Sequence, residues 1–319
     1  MPRTNSSKNH HWWPVALQRY WADSKRDVSW IEPDGRTDKK KFDNRKIGYK
    51  IHGHTILKGT VWESSFENEF DIDNEIHNIV RALKALAEQG KRPSELIRMA
   101  MLFFKRDRKL RDMCNFHDMD DNLHRLLLTL IYSLLIRCPA ARFRYEEYPR
   151  LFGFRPSENV GKANMLQSYR TAKKLCEKSI SSNQKFVILH SPMKNFLFGD
   201  GLLDWLTVNE NSYRISGKAL IPLTPNICIY FCTTDSITSN HNCASLIAPN
   251  WIVDRVNEIT QIYSRDKIFY LGKPPQIINS FRQNEFLEFE NKSNDFIDIL
   301  DEIFLTSTSS RTFKSYCRL

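Results

Sequence analysis

The stretch KALIPLTPNICIYFCTT, residues 218–234, holds two short apolar runs rich in Ile, Leu, Phe and Tyr, separated by Pro225-Asn226. Runs of this length with turn residues between them read as two strands joined through a Pro-Asn turn. Upstream, KFVILHS (185–191) reads as a further strand of the same kind. The region before it changes period: EIHNIVRALKALAEQ (75–89) places Ile76, Ile79, Val80, Leu83 and Leu86 on one helical face and stops at Gly90. Helical patterns followed by strands, without strict βα alternation, point to an α+β protein. Its expected parts are an N-terminal β-element, a central helical layer, and a C-terminal mixed β-sheet with one or two packed helices.

Working outward, PSELIRMAMLFFKRDRKLRDM (93–113), DDNLHRLLLTLIYSLLIR (120–137) and NMLQSYRTAKKLCEKSI (164–180) are the other expected helices of the layer. The paired aspartates of the second suit a helix start. FGFRPSENVGKA (152–163) reads as a loop, as does DSITSNHNC (235–243). Near the start, a short helix is expected after Pro14. DVSWIE (27–32), the turn PDGR (33–36) and KIGYKIHG (46–53) then give two strands. Late in the chain PNWIVDRVNEITQIYS (249–264) is an amphipathic helix, DKIFYLG (266–272) a strand and SNDFIDILDEIFL (293–305) a final helix. The chain is read as one α+β domain over 1–319. If it divides, it does so into a basic β-rich element 1–72, a helical layer 73–180 and an α/β portion 181–319.

Composition is ordinary for a globular chain, 41% hydrophobic and 26% charged over 319 residues. The longest apolar run, Leu126 to Ile136, is far short of the roughly 20 residues a bilayer crossing needs, so no membrane partner is expected. The seven cysteines include no CxxC pair. That spacing fits reduced thiols in a cytoplasmic protein rather than a disulfide framework or a structural zinc site. Cys228 and Cys232 share one face of a strand and are expected to pack in the core. The net charge is +10, and residues 1–58 carry thirteen Lys and Arg against six acids. This asymmetry reads either as a footprint for nucleic-acid phosphates or as a solvated surface that pairs internally with the acidic segment 285–302.

Several separated motifs resemble the bacterial domain-of-unknown-function family 4238. HHWWPVALQRYW (10–21) is similar to its opening His, ring residue, Pro, Leu and Arg, with an extra residue before the proline. Asp73-Asn74-Glu75-Ile76, the FLFGDGLL phrase with Asp200, IPLTPN from Ile221, and Asn257 in a helix before a short strand follow in the family's order. Gly201 and Leu202 stand where the family shows Asn-Pro, and this departure puts a carried-over role for Asp200 in question. The resemblance implies a bacterial protein, a consistent fold and candidate positions; it offers no reaction and leaves any cofactor unknown.

The candidate chemistry gathers on those positions. His10 and His11 titrate near neutrality and can move a proton, Arg19 can clamp a phosphate or an oxyanion, and Asp200 can orient an imidazole. If the opening residues fold back beside the Asp200 turn, these four make a metal-independent, nuclease-like hydrolase or other phosphodiester-acting site. Alternatively, the region is a non-catalytic binding module in which Trp12, Trp13 and Asn257 recognise nucleic acid, a nucleotide or a protein partner by stacking and polar contacts. A structural reading stands beside both, with a histidine capping a helix and Trp12, Trp13 and Trp21 filling the core. Three further clusters read as structural. HDMDDNLH (117–124) is expected to cap a helix, the acidic run ESSFENEFDIDNE (63–75) to serve as a linker, and His52 and His54 to share an exposed strand face. GxxxxGK[ST], GxGxxG and GxSxG are all missing from the sequence, which leaves ATP-driven, dinucleotide-dependent and α/β-hydrolase readings with little support.

Overall fold

A computed structural model of the chain describes residues 9–42, 47–58, 61–89, 109–178, 183–209, 214–233, 240–290 and 296–305. At the start come β1 (Asn9–His11), α1 (Val15–Gln18, continuing as a 3-10 turn through Trp21), β2 (Asp27–Ile31), β3 (Thr37–Lys41) and β4 (Tyr49–Ile51). The PDGR turn delivers the chain directly into β3, which pairs antiparallel with β2 so that Ile31 faces Thr37 and Asp27 faces Lys41. The expected partner over 46–53 is therefore corrected. A tight turn sets the register with the residues that follow it at once, and β4 pairs instead with β1, His10 opposite Lys50. β3 is fully exposed at a sheet edge, where lysines discourage further strand pairing. The HGH segment is a turn rather than a strand, with His52 at φ +53° and His54 buried. It leads into the ribbon of β5 (Thr55–Lys58) and β6 (Val61–Ser65).

The helical layer follows with α2 (Ile76–Gln89), whose Ile76, Ile79, Val80 and Leu83 are buried as the periodicity expects. Most of the expected helix 93–113 lies outside the described residues; 110–113 form a 3-10 turn. After β7 (Asn115–His117) comes α3 (Asp121–Arg137), capped by the Asp120 carboxylate, which accepts from the Asn122 and Leu123 N–H groups at 3.0 Å each. α4 (Pro139–Glu147) was not foreseen, and α5 (Glu158–Lys178) begins at Glu158 rather than Asn164. The glycine that suggested a loop, Gly161, sits inside α5 where a Cβ would stand 2.6 Å from Glu146 Cγ, so it permits close helix approach. The acidic run is a latch rather than a linker. Glu69 pairs with Arg170, Asp71 with Lys173, and Asp73 makes a two-pronged bond to the Arg137 guanidinium at 2.7 and 2.9 Å.

The last part supplies β8 (Gln184–His190), β9 (Phe198–Gly199), β10 (Leu203–Asp204), β11 (Thr207–Asn209), β12 (Arg214–Ser216), β13 (Lys218–Thr224), β14 (Ile227–Thr233), β15 (Cys243–Ile247), α6 (Asn250–Tyr263), β16 (Ile268–Tyr270), α7 (Asn279–Arg282) and α8 (Phe296–Asp301). β13 and β14 form the hairpin expected around Pro225-Asn226, with Ile221 opposite Ile229 and an irregularity between Pro222 and Thr224, where proline cannot donate to the ladder. The sheet runs β10-β13-β14-β8-β15-β7. Only β8 and β15 are parallel in it, so it is mixed and the fold is α+β. β15 was missed because CASLI follows a polar stretch and is a short buried run. Cys228 and Cys232 are buried in β14, and burial pushes both thiols up.

A second sheet, β3-β2-β16-β9, joins the two ends of the sequence, Trp30 lying opposite Phe269 and Phe198 opposite Phe269 on its other side. One continuous cluster of buried side chains extends from Trp13 through the helical layer to Phe304.

Candidate functional site

The opening HHWWP segment is clamped against residues 47–49. The Gly48 carbonyl accepts from both the Trp12 and Trp13 N–H groups, at 2.9 and 3.1 Å. Gly48 has φ +59°, and a Cβ there would lie 2.6 Å from that of Trp13; only glycine fits. Gln18 completes the clamp by donating Nε2 to the Trp13 and Ile47 carbonyls, at 2.8 and 3.0 Å. Trp13 is thereby sealed in the core, 0% exposed, its ring 4.7 Å from that of Phe198 and 4.4 Å from that of Phe269. Its expected stacking on a ligand is corrected, because both neighbours are core rings.

FLFGDG is shaped by its glycines. A Cβ at Gly199 would stand 1.8 Å from Ser264 Oγ, and one at Gly201 would stand 1.9 Å from the Tyr263 carbonyl oxygen. The segment thus presses on the end of α6, which brings Asp200 to the backbone N–H groups of the following turn. Its carboxylate accepts from Arg265 N at 2.9 Å and Asp266 N at 3.0 Å. Burial pushes the Asp200 carboxyl up to about 6, against the lowering effect of these N–H groups. Asp200 therefore orients backbone and not an imidazole.

Between the two segments lies a cleft of about 180 Å³ lined by Trp12, Trp30, Tyr49, Phe269, Asp200, Asp266 and Lys267, with Ile47, Gly48 and Pro139. The Lys267 ammonium sits 4.5 Å from the Trp30 ring centroid and the Lys40 ammonium 5.6 Å from it. Trp12 is half-buried and contributes its ring to the wall. The fold-back expected for the opening residues is thus present in the sense that Trp12 and Asp200 share one hollow.

The other expected site residues do not line it. His10 is buried, its Nδ1 accepts the His54 backbone N–H at 2.7 Å, and its ring stacks on that of His54 with centroids 5.3 Å apart and planes 7° apart. A neutral His10 then carries its proton on Nε2. His11 is half-buried with its ring 6.4 Å from Tyr49. Arg19 is exposed, its guanidinium 5.8 Å from the centroid of Phe42. Asn257 spends both ends of its amide on backbone, Oδ1 accepting from Leu197 N at 2.8 Å and Nδ2 donating to Asn195 O at 3.1 Å, which braces β9 against α6. Trp30, Tyr49, Asp266 and Lys267 were missed as site residues; the sequence placed Trp30 and Tyr49 within the expected strands 27–32 and 46–53, and Asp266 and Lys267 at the start of the expected strand 266–272.

In the HDMDDNLH cluster the residues go separate ways. Asp120 caps α3, His117 Nε2 meets Ser245 Oγ at 2.7 Å, and Asp118 bonds His241 at 2.8 Å. Among the described residues no three metal-ligating side chains converge, and no single helix is long and apolar enough to cross a membrane. No family model, curated protein or solved structure matches the chain.

Proposed function

We propose that the protein is a non-catalytic binding module that takes one unpaired nucleobase of a nucleic acid into the aromatic cleft and lays the adjoining phosphates along its lysines. One observation carries this reading: Trp12, Trp30, Tyr49 and Lys267 surround a single hollow. Rings offer stacking to any base, and ammonium groups beside them offer charge to a backbone. At about 180 Å³ the hollow is smaller than the roughly 300 Å³ at which drug-sized pockets begin, so it admits one ring system and leaves sugar and phosphate outside. Asp266 lines it and, although paired with Arg265, keeps lone pairs for an exocyclic amino group. Lys40, on the Trp30 face of the exposed edge strand, adds to the positive charge, whereas Lys39 and Lys41 point to the other face and pair with Asp27. The nuclease-like reading draws no support from this arrangement, since His10, His11 and Arg19 do not line the cleft with Asp200. The cysteine pattern supports a cytoplasmic setting. The resemblance to family 4238 adds positions, not a reaction.

The test is fluorescence anisotropy of a labelled single-stranded oligonucleotide. Binding is expected to weaken steeply with salt, to fall about tenfold or more in Trp12→Ala, and to leave the oligonucleotide intact. Binding equal in Trp12→Ala, or none at low salt, overturns the proposal. Cleavage that is lost in His10→Ala would restore the enzyme reading.

A further inference from the structure

We propose that a second hollow, an open pocket bounded by α3, α4, α5 and the β10–β11 connection, is a binding site for an uncharged planar ring bearing a carbonyl beside an N–H, the chemistry of lactams and carboxamides. The cavity measures about 320 Å³ and is lined by Tyr132 and Leu135 of α3, Tyr145 of α4, Ser168 and Thr171 of α5, and Asp204 of β10, among others. Its size lies at the lower bound of small-molecule sites, roughly 300 Å³.

The Tyr132 hydroxyl marks it as a site. Tyr132 is only 4% exposed and lines this hollow, yet its hydroxyl has no hydrogen-bond partner. Leaving such a group unpaired costs about 1–3 kcal/mol, and a carbonyl in the cavity supplies the missing acceptor. Burial pushes the Tyr132 pKa up, so the group stays an O–H donor throughout the physiological range.

Charge selects the ligand. The Asp204 carboxylate is already matched by the Arg144 guanidinium at 3.1 Å and accepts the Leu206 N–H at 3.2 Å. An anion would oppose Asp204, and a cation would have to displace Arg144 from it, whereas a neutral N–H can use a remaining lone pair on Asp204. Leu135, Ile136 and Leu206 cover the faces of the ring. The site has a different set of lining residues from the aromatic cleft, so the two proposals stand or fall separately.

The experiment uses the full chain with benzamide and 2-pyridone as neutral probes and benzoate and benzylamine as charged controls, read by thermal shift and ligand-observed NMR. The neutral probes are expected to bind and raise Tm, and the charged ones to bind about tenfold more weakly or not at all. Tyr132→Phe is expected to weaken the neutral probes about tenfold, the loss of one buried hydrogen bond, while leaving oligonucleotide binding unchanged. Leu206→Phe, which fills the hollow, gives a second and independent loss of binding. Failure of both neutral probes at millimolar concentration, binding indifferent to probe charge, or binding lost in Trp12→Ala but kept in Tyr132→Phe and Leu206→Phe overturns the proposal.

Discussion

Two buried titratable residues oppose each other in their effect on stability. Asp200 holds its proton to about pH 6 in the fold against 3.8 as an ordinary carboxyl. The unfolded chain gives that proton up first, so this contribution is full below about pH 3.8 and is lost as pH rises through about 6. His124 is fully buried against Phe186, neither ring nitrogen has a hydrogen-bond partner, and burial holds its pKa down at about 4 instead of 6.5. Its contribution runs the other way, full above about 6.5 and lost as pH falls to about 4. Each shift corresponds to about 3 kcal/mol, so in the native protein they nearly cancel. Urea denaturation across pH 4 to 7 is expected to separate them. Asp200→Asn leaves a stability that climbs with pH, and His124→Phe leaves one that declines relative to the native protein. Lowered carboxylates such as Glu158 act alike in all three and drop out of the comparison; parallel pH profiles would refute the assignment. Asp120 and its cap were legible from sequence because capping is local. The orphaned rings of His124 were not, because burial is decided by what packs over α3.

Among the elements, α4 and α5 are joined to the N-terminal turns through charges that no periodicity reveals. Arg142 donates to Glu146 at 2.6 Å, to Glu158 at 2.7 Å and to the Gly53 carbonyl at 3.1 Å, with Lys162 and Lys50 closing on the same two acids. Arg142 is largely buried, and removing one partner of a buried ionic group strands the others. Arg142→Met is expected to cost about 3 kcal/mol in urea denaturation and to speed hydrogen exchange at the Gly53 and His54 amides. A cost below about 0.5 kcal/mol, the range of ordinary surface changes, would show that the network is ornamental. The amphipathic face of α2 and the 218–234 hairpin were readable, since period and turn chemistry are carried by neighbours in sequence. α4 was not, because its PAARFRYEE has no apolar stripe; its place is held by Arg142 and by Gly161 opposite Glu146.

For the whole molecule, the opening tryptophans tie the two sheets into one core. Trp13 lies between Phe198 and Phe269 of the second sheet, and Trp21 reaches the first, its Nε1 donating to the Leu223 carbonyl at 3.3 Å. Trp13→Ala is expected to destabilise the protein by about 3–5 kcal/mol, and the half-buried Trp12→Ala by clearly less, both measured by chemical denaturation. Equal costs would mean that Trp13 is not the ring that seals the core. The sequence by itself determined the α+β class, the main hairpin and most of the described helices, because hydrophobic period, caps and turn residues act over a few positions. Only the tertiary structure decided that Trp12 and not Trp13 faces a cleft, that Asp200 serves backbone, that His10 is paired with His54, and that Lys267 joins Trp30. Those outcomes depend on which surfaces meet across long stretches of chain, and burial and charge pairing at such meetings are set by packing that no local pattern encodes.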